Sequence, residues 1–304
     1  MPSELFYWLF NMSLTATLSG IAVLLLRLIR PIPRRIVTLL WVIPFLRFWI
    51  PVGIGGRYGL MALISRFTTR TVEIYDIGDV LSLSMTNHAM VAESYFPIVY
   101  KVRILEKVFG IASLVWIAVA VLLLTVPFLL FLNTRRELKK CTPLGDGLFL
   151  SNRPGGPVVY GIFRPGIVLP NTVSESDLPY VLMHERAHIR HLDNLWRMIA
   201  FVTAAVHWFN PAVWIFLKCF LSDLELACDE RVLSKCSDGQ KKDYARSLLS
   251  VKEQSSALGS AFGGAKLKVR ITNILSYRKL TALSAVGFCL LILACAYVLL
   301  TNAP

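Results

Sequence analysis

Charged residues are scarce in this chain of 304 residues. Only 17% are Asp, Glu, Lys or Arg, against about 25% in an ordinary globular domain. Acidic residues are fewer than basic ones, 19 against 32, which gives a net charge of +13. The hydrophobic fraction is 55% and the mean hydropathy is +0.59, which excludes an ordinary soluble protein. In so apolar a chain the basic excess indicates charge sorting across a membrane.

The six cysteines follow no regular spacing, and two of them lie in an apolar run near the C-terminus. We therefore expect neither a disulfide framework nor a cysteine-based zinc site. The sequence also has no stretch in which aromatic residues alternate with basic ones. Direct binding to nucleic acid is therefore not expected.

Four apolar runs are candidates for membrane spans, at residues 5–26, 36–54, 108–132 and 280–300. Basic clusters follow the first and third runs and precede the fourth, which places these clusters on the inner side of the membrane. Glu4 before the first run argues against a cleavable signal peptide. Arg47 interrupts the second run. An ionisable group inside a span is often functional, but we favour the alternative that its long side chain reaches an interface.

The chain is thus predicted to be a mainly α-helical, multi-pass protein of the cell membrane, with both termini outside. Residues 1–54 would form two transmembrane helices with a basic inner turn, and 55–107 an extracellular loop. A third transmembrane helix at 108–132 would lead into a cytoplasmic domain at 133–279. Residues 280–304 would form the fourth helix and a short outer tail.

The expected cytoplasmic domain contains an HExxH motif, which runs from His184 to His188. Two histidines four residues apart lie on one face of a helix, so both imidazoles can bind one Zn²⁺. Glu185 would act as the general base toward an attacking water and pass the proton to the leaving amine. The alternative is a solvated helix face with two incidental histidines, which the apolar residues before His184 argue against.

Three residues are candidates for the third zinc ligand. His191 shares the histidine face but lies about 10 Å farther along a straight helix, and His207 lies in an apolar stretch typical of a core or interfacial histidine. Glu225 is the strongest candidate, because Asp229 one turn later can accept a hydrogen bond from a ligand imidazole and fix its tautomer. A charged helix surface is the alternative for these two acidic residues.

The segment between the two motifs is apolar enough to be a fifth span, since residues 198–217 contain no Lys, Arg, Asp or Glu. A single crossing, however, would place Glu225 on the opposite side of the membrane from His184 and His188. The sequence Phe-Asn-Pro at 209–211 signals a turn. We therefore expect a membrane-associated helical hairpin over 194–233 that returns Glu225 to the two histidines.

Two further segments have local signals. Residues 158–163 and 167–170 are β-rich runs joined by a turn, which predicts a β-hairpin whose edge could pair with an extended peptide. Residues 255–264 are small and flexible and predict a linker into the last span. A self-cleavage site is the alternative, because exposed small-residue loops are preferred sites of proteolysis.

Four segments together resemble the BlaR/MecR-type membrane metallopeptidases: GIFRPGIVLP at 161–170, HERAHIRH at 184–191, HWFNP at 207–211 and ELACDERV at 225–232. The resemblance covers about residues 1–301. It implies a gluzincin-like α+β zinc peptidase domain inserted between the third and fourth transmembrane helices. It also implies that His184, His188 and Glu225 bind the zinc and that Glu185 is the catalytic acid/base.

Members of this family sense β-lactams outside the cell and respond with proteolysis inside, including self-cleavage and loss of a DNA-bound repressor. The sensor proteins continue past the fourth span into a penicillin-binding domain with an SxxK serine, whereas this sequence ends at Pro304. We therefore expect a chain without the sensor domain and without β-lactam acylation.

The expected function is that of a regulatory zinc endopeptidase that cleaves itself or a cytoplasmic transcriptional repressor, with membrane lipid around it; a homodimer is left open. One alternative is a housekeeping membrane protease resembling the prenyl-protein or heat-shock membrane zinc proteases. The other is a non-catalytic membrane receptor or scaffold, against which an intact Glu185 argues, because a structural metal site needs no acid/base group.

Overall fold

The computed structural model describes residues 2–29, 31–50, 59, 103–152, 155–161, 165–255 and 261–301. Nearly all of the expected extracellular loop at 55–107 lies outside these residues, and so does the centre of the expected linker at 255–264. In the part of the chain that is described, the structure is mainly helical, with ten helices and one four-stranded sheet.

The elements follow one another in a simple order. Three helices come first, then a long helix, a small sheet and six further helices. The first four helices are α1 (Pro2–Arg27), α2 (Arg34–Leu40), α3 (Val42–Trp49) and α4 (Arg103–Leu138). The strands are β1 (Thr142–Gly145), β2 (Leu148–Ser151), β3 (Val158–Tyr160) and β4 (Gly166–Pro170). The last helices are α5 (Leu178–Arg190), α6 (Asp193–Val206), α7 (Pro211–Leu233), α8 (Asp238–Ser255), α9 (Ala261–Ser276) and α10 (Ala282–Leu300).

Among the described residues, three helical segments are long and apolar enough to cross a membrane. They are α1, Val108–Asn133 within α4, and α10. Much of the apolar surface of α4 and α10 is uncovered, as shown by Ile111 and Leu293, which are each 66% exposed. Contiguous apolar surface of this kind is typical of a membrane or protein contact, and these helices match the first, third and fourth expected spans.

The expected second span is divided at Trp41 into the short helices α2 and α3. Pro44 has no backbone N–H to donate to the carbonyl of Leu40, so the helical hydrogen bonding is interrupted in this turn. Residues 34–49 together rise only about 24 Å, which is less than the roughly 30 Å of a bilayer core. The expected count of four spanning helices is therefore not confirmed.

Arg47 lies near the end of α3 with its side chain buried. Its guanidinium donates hydrogen bonds to the carbonyl of Leu299 at 3.1 Å and to that of Thr301 at 3.2 Å. Instead of reaching an interface as expected, Arg47 satisfies carbonyls that the C-terminal end of α10 would otherwise leave unpaired. The C-terminal ends of α3 and α10 therefore lie side by side.

Helices α6 and α7 form a hairpin whose turn packs against α1. The Asn210 side chain accepts a hydrogen bond from the N–H of Ala212 at 2.9 Å, and Pro211 occupies the first helical position, so α7 starts here. The same Asn210 amide donates to the hydroxyls of Ser13 and Thr17 at 2.7 Å each. The hairpin turn therefore lies beside the N-terminal half of α1, far from Arg27.

Two buried acidic residues on one face of α7 bind the turn between α1 and α2. Asp223, which is completely buried, accepts hydrogen bonds from Arg27 Nε at 2.8 and 2.9 Å and from Trp41 Nε1 at 3.0 Å. Glu230 accepts hydrogen bonds from the backbone N–H groups of Arg34 and Arg35. These N–H groups are at the start of α2, where no side chain from the N-cap residue satisfies them. The turn between α1 and α2 is thus fixed to α7.

The sheet has the strand order β1-β2-β4-β3, with β2 and β4 parallel and the other two pairs antiparallel. The antiparallel pairing of β3 with β4 confirms the predicted β-hairpin. Ile167 and Leu169 of β4 form a small core with Val181 of α5. This contact fixes the helix of the HExxH motif against the sheet.

Candidate functional site

Helix α5 presents His184 and His188 on one buried face, where they are 8% and 4% exposed. Their Nε2 atoms lie 3.2 Å apart. Val181, one turn before His184, packs against the sheet and thereby sets the rotation of the helix. The structure thus places both imidazoles where one ion could meet them.

Helix α7 brings Glu225 to the same point. One carboxylate oxygen lies 3.7 Å from Nε2 of His184 and the other lies 3.7 Å from Nε2 of His188. Two nitrogen ligands at 2.0–2.1 Å from a tetrahedral zinc stand about 3.3 Å apart. The histidine separation meets this requirement, and the carboxylate oxygens come within about 0.4 Å of it. These three residues therefore fit a single divalent metal ion.

Glu185 lies beside this group and is 8% exposed. It lines a cleft of about 290 Å³ together with His184, His188, Glu225 and the first residues of β3. The structure thus brings together the four residues that the sequence proposed as metal ligands and general base.

The other two candidate histidines lie elsewhere. Helix α5 ends at Arg190, so the helix does break, although no glycine marks the end; Leu192 takes up a left-handed conformation with φ of 55°. His191 is nevertheless exposed and outside the cluster. His207 is completely buried, with its ring 4.7 Å from that of Phe48. It is a core residue of the hairpin turn.

Asp193 and Tyr244, which the sequence analysis did not single out, bind the outer nitrogens of the two imidazoles. His188 Nδ1 lies 2.6 Å from the carboxylate of Asp193, and His184 Nδ1 lies 2.9 Å from the hydroxyl of Tyr244. Metal-binding histidines usually donate their second N–H to such a group, which fixes the tautomer. Both imidazoles therefore have their Nε2 atoms directed at each other and at Glu225.

Asp229 lies behind this group rather than directly on a ligand. Its Oδ1 atom is 3.5 Å from His184 Nδ1 but accepts a hydrogen bond of 2.6 Å from Tyr244. Arg270 of α9 donates to both of its oxygens, at 2.7 and 2.8 Å. The fully buried carboxylate is thus paired with a cation and a hydroxyl, as burial requires.

Two arginines surround Glu225. Arg197 of α6 donates a hydrogen bond to one of its oxygens, and Arg270 lies 3.5 Å from the other. Nη2 of Arg270 is also 3.4 Å from His184 Nε2. The carboxylate is therefore held by α6 on one side and α9 on the other. The Arg197–Glu225 contact also joins the first turns of α6 to the second half of α7.

Cys228 also lies beside the two histidines, although the cysteine spacing predicted no cysteine-based zinc site. With His184 and His188 it forms a buried group whose potential ligand atoms lie within 4.8 Å of one another. Its Sγ atom is 3.5 Å from Nδ1 of His184, the nitrogen that faces Tyr244, whereas Glu225 lies beside the Nε2 atoms. The thiol is thus a further potential ligand beside the two histidines.

The surroundings of His188 favour positive charge at its ring. Burial lowers the pKa of this imidazole, but the hydrogen bond to Asp193 and the proximity of Cys228 raise the pKa to about 9. Asp193 is itself 1% exposed and lies 3.4 Å from Arg231. The same negative groups that stabilise a proton here would stabilise a metal cation.

The outer edge of β3 borders the cleft, but it is not open along its whole length. The N–H of Ile167 donates to the carbonyl of Gly147, just before β2, so Val159, which is paired with Ile167, directs its backbone N–H and C=O away from β4. The Asn194 amide donates to the carbonyls of Val159 and Gly161 at 3.0 and 3.1 Å. Asn194 therefore stands where a neighbouring strand would lie beside the end of β3.

Comparison with known proteins places these features in one family. A family model described as BlaR1 peptidase M56 matches residues 7–274. The chain belongs to the BlaR1 peptidase M56 family. The match includes most of α1, the apolar segment of α4, the sheet, the HExxH helix and α7, so it covers the site and two of the three candidate spans. The family is one of metallopeptidases, and the chain is thereby a membrane protein of a regulatory peptidase family.

Curated relatives of the BlaR1 peptidase M56 family match parts of the chain. The regulatory protein BlaR1 of Bacillus licheniformis is 30% identical over 150 residues, which are 45% of this chain and 25% of that protein. The methicillin resistance mecR1 protein of Staphylococcus aureus is 29% identical over 103 residues, or 33% and 18% of the two chains. The regulatory protein BlaR1 of Staphylococcus aureus is 26% identical over 200 residues, or 56% and 34%. The matches thus span from 18% to 34% of these relatives.

Proposed function

We propose that this chain is an integral-membrane zinc endopeptidase with a regulatory role, whose site faces the cytoplasm. The convergence of His184, His188 and Glu225 on one point, with Glu185 beside it in the same cleft, carries this proposal. A structural metal site would need the three ligands but no acid/base group. The intact HExxH glutamate therefore favours catalysis.

The chain's own residues would act as follows. His184, His188 and Glu225 would hold the ion, which would supply Lewis acidity toward a water and a peptide carbonyl. Glu185 takes the proton of the attacking water and delivers it to the leaving amine nitrogen. A substrate peptide lies in the cleft beside the beginning of β3, because Asn194 covers the carbonyls at the end of that strand. Asp193 keeps the ring of His188 oriented during turnover.

The packing of the helix ends supports the proposed membrane orientation. Arg27 at the end of α1 meets Asp223 near the level of the site, whereas the hairpin turn packs against the other half of α1. Trp49 at the end of α3 donates a hydrogen bond to Thr203 near the same turn. If the basic turn after α1 is cytoplasmic, the site is cytoplasmic and the turn of the α6–α7 hairpin enters the outer half of the bilayer. The ends of α3 and α10, which Arg47 joins, then lie toward the outer side, near the level of the hairpin turn.

A regulatory role is proposed from the relatives, two of which are named as regulatory proteins and one as a methicillin resistance protein. For this chain we propose that the substrate is the chain itself, a cytoplasmic transcriptional repressor, or both. A self-cleavage site within residues 255–264 is a prediction that lies largely outside the described residues.

The test compares wild type with Glu185→Ala in cells that also produce a repressor encoded beside this chain. We expect Glu185→Ala to stop the shortening of the chain or of the repressor while the purified protein still binds zinc. Glu175→Ala is the matched control, since it removes an exposed glutamate ahead of the same helix. If wild type and Glu185→Ala bind zinc and leave both proteins equally intact, the protease proposal fails and the receptor or scaffold alternative is favoured.

Zinc content tests the ligands separately. Glu225→Ala and His184→Ala should each lose zinc, whereas Cys228→Ala should retain it, because the Glu225 oxygens lie beside both Nε2 atoms and the thiol contacts Nδ1 of His184. Full zinc in Glu225→Ala together with loss in Cys228→Ala would assign the third ligand to the cysteine instead.

A further inference from the structure

Tyr244 is positioned between two residues that the sequence connected directly. It lies on α8, is 1% exposed and is 60 residues away from His184 in the chain. Its hydroxyl is 2.9 Å from His184 Nδ1 and 2.6 Å from Asp229 Oδ1, whereas those two atoms are 3.5 Å apart. The hydroxyl therefore makes the shorter contact to each partner.

The hydrogen-bonding roles of the three groups follow from their chemistry. An ionised carboxylate can only accept, so Tyr244 donates its single hydroxyl proton to Asp229. The hydroxyl oxygen is then available to accept from the N–H at Nδ1 of His184. This arrangement selects the tautomer in which Nε2 carries a lone pair and points toward His188 and Glu225. A proton on Nε2 would block metal binding.

We propose that Tyr244 is a positioning residue for the metal site, which holds His184 in its metal-binding tautomer and ring orientation. This inference rests on the proposed function, because it assigns His184 as a metal ligand. The two imidazoles are thus fixed in different ways: His188 by the carboxylate of Asp193 directly, and His184 by a carboxylate acting through a tyrosine hydroxyl.

The surroundings hold the hydroxyl in place. Arg270 binds both oxygens of Asp229, so the carboxylate cannot turn away from the tyrosine without losing its cation. The ring of Tyr180 packs against that of Tyr244 with 6.4 Å between centroids. Tyr244 belongs to a buried cluster in which α8 packs against Leu233 of α7 and Ile274 of α9, so its ring has little freedom to rotate.

The experiment measures the zinc affinity of the purified full chain in detergent by competition with a chelator of known affinity. Tyr244→Phe removes the hydroxyl and keeps the ring, and we expect it to weaken zinc binding by about 10- to 100-fold. Tyr180→Phe is the matched control, because its ring lies in the same cleft while its hydroxyl is outside the described hydrogen bonds of His184. Its zinc affinity should equal that of wild type.

Thermal unfolding of the zinc-stripped proteins separates positioning from a general loss of structure. We expect the midpoints of Tyr244→Phe and wild type to agree within a few degrees. Equal zinc affinity in Tyr244→Phe and wild type overturns this inference while leaving the zinc peptidase proposal intact. A large fall in the midpoint together with weaker zinc binding assigns Tyr244 a structural role and also overturns it. If wild type itself binds no zinc, the proposed function fails and the inference fails with it.

Discussion

Replacing Asp223 by alanine should destabilise the protein strongly, although this residue lies outside the candidate site. Its carboxylate is fully buried and accepts hydrogen bonds from Arg27 and Trp41. Removing one partner of a buried ion pair costs about 3–5 kcal/mol. The Arg27 side chain is 25% exposed and keeps some contact with solvent, so leaving it unpaired costs less than this range. The indole N–H of Trp41 would be left buried without its acceptor, which costs about 1–3 kcal/mol.

We therefore expect Asp223→Ala to lower the free energy of unfolding by about 2–4 kcal/mol. The measurement is unfolding of the purified chain in mixed micelles with increasing SDS, compared at one SDS mole fraction. Asp243→Ala is the control, because this carboxylate is 50% exposed and pairs with Arg246, which is 80% exposed. Removal of such a surface pair should change the free energy by less than about 0.5 kcal/mol.

A double-mutant cycle identifies the source of the loss. If an unpaired guanidinium accounts for part of the cost, Arg27→Met should recover about 1 kcal/mol or more in the Asp223→Ala background. The reasoning is refuted if Asp223→Ala is as stable as Asp243→Ala, or if the effects of Asp223→Ala and Arg27→Met are simply additive.

Two further predictions concern packing and the metal site. A Cβ on Gly20 would lie 2.2 Å from the ring of Phe216, so Gly20→Ala should cost about 1–3 kcal/mol in the same SDS assay; Phe216→Leu in the Gly20→Ala background should recover part of this, and no recovery would place the strain elsewhere. Asp193→Ala should weaken zinc binding by about 10- to 100-fold, because His188 loses the acceptor at Nδ1. Asp193→Asn keeps an acceptor and should lose less in the same chelator competition, so equal losses would contradict a hydrogen-bonding role.

Local sequence patterns predicted the parts of the site that depend on local geometry. The spacing of His184 and His188 sets them on one helix face whatever surrounds them. The turn residues at 209–211 predict a reversal, and the reversal is what carries Glu225 back. The β3–β4 pair was likewise encoded by two β-rich runs and a short turn. In each case the residues that determine the local structure lie within a few positions of the residues that they place.

The remaining features depend on contacts between distant segments. Tyr244 and Arg270 reach the site from α8 and α9, and no spacing rule connects them to His184. Asp193 could not be predicted for another reason. It follows the end of α5, and no glycine or proline marks this end in the sequence. The chain turns there at Leu192, in a left-handed conformation that tertiary packing must stabilise. The parallel pairing of β2 with β4 also joins strands that are not consecutive in the chain, since β3 comes between them, and residue periodicity does not report such a pairing.

The division of the expected second span shows the limit of hydropathy. Residues 36–54 are apolar enough to suggest one helix, but average hydropathy is insensitive to a single missing N–H at Pro44. Hydropathy also indicates a span at residues 198–217. The hairpin was predicted instead because Glu225 has to lie on the same side of the membrane as the histidines. Composition thus indicated the membrane, whereas individual backbone groups decided how the chain is folded there.

The two faces of α7 make this helix a mechanical connection between the inner turn and the site. Asp223 and Glu230, seven residues apart, hold the α1–α2 turn, and Glu225 projects on the opposite side. A carboxylate lies about 5–6 Å from the axis of its helix, so a rotation of α7 by about 5° moves it by about 0.5 Å. That displacement exceeds the tolerance of about 0.2 Å on metal–ligand distances. A rotation of α7 of this size, transmitted from the α1–α2 turn, would therefore change the distances between Glu225 and the two histidines by more than a metal ion tolerates.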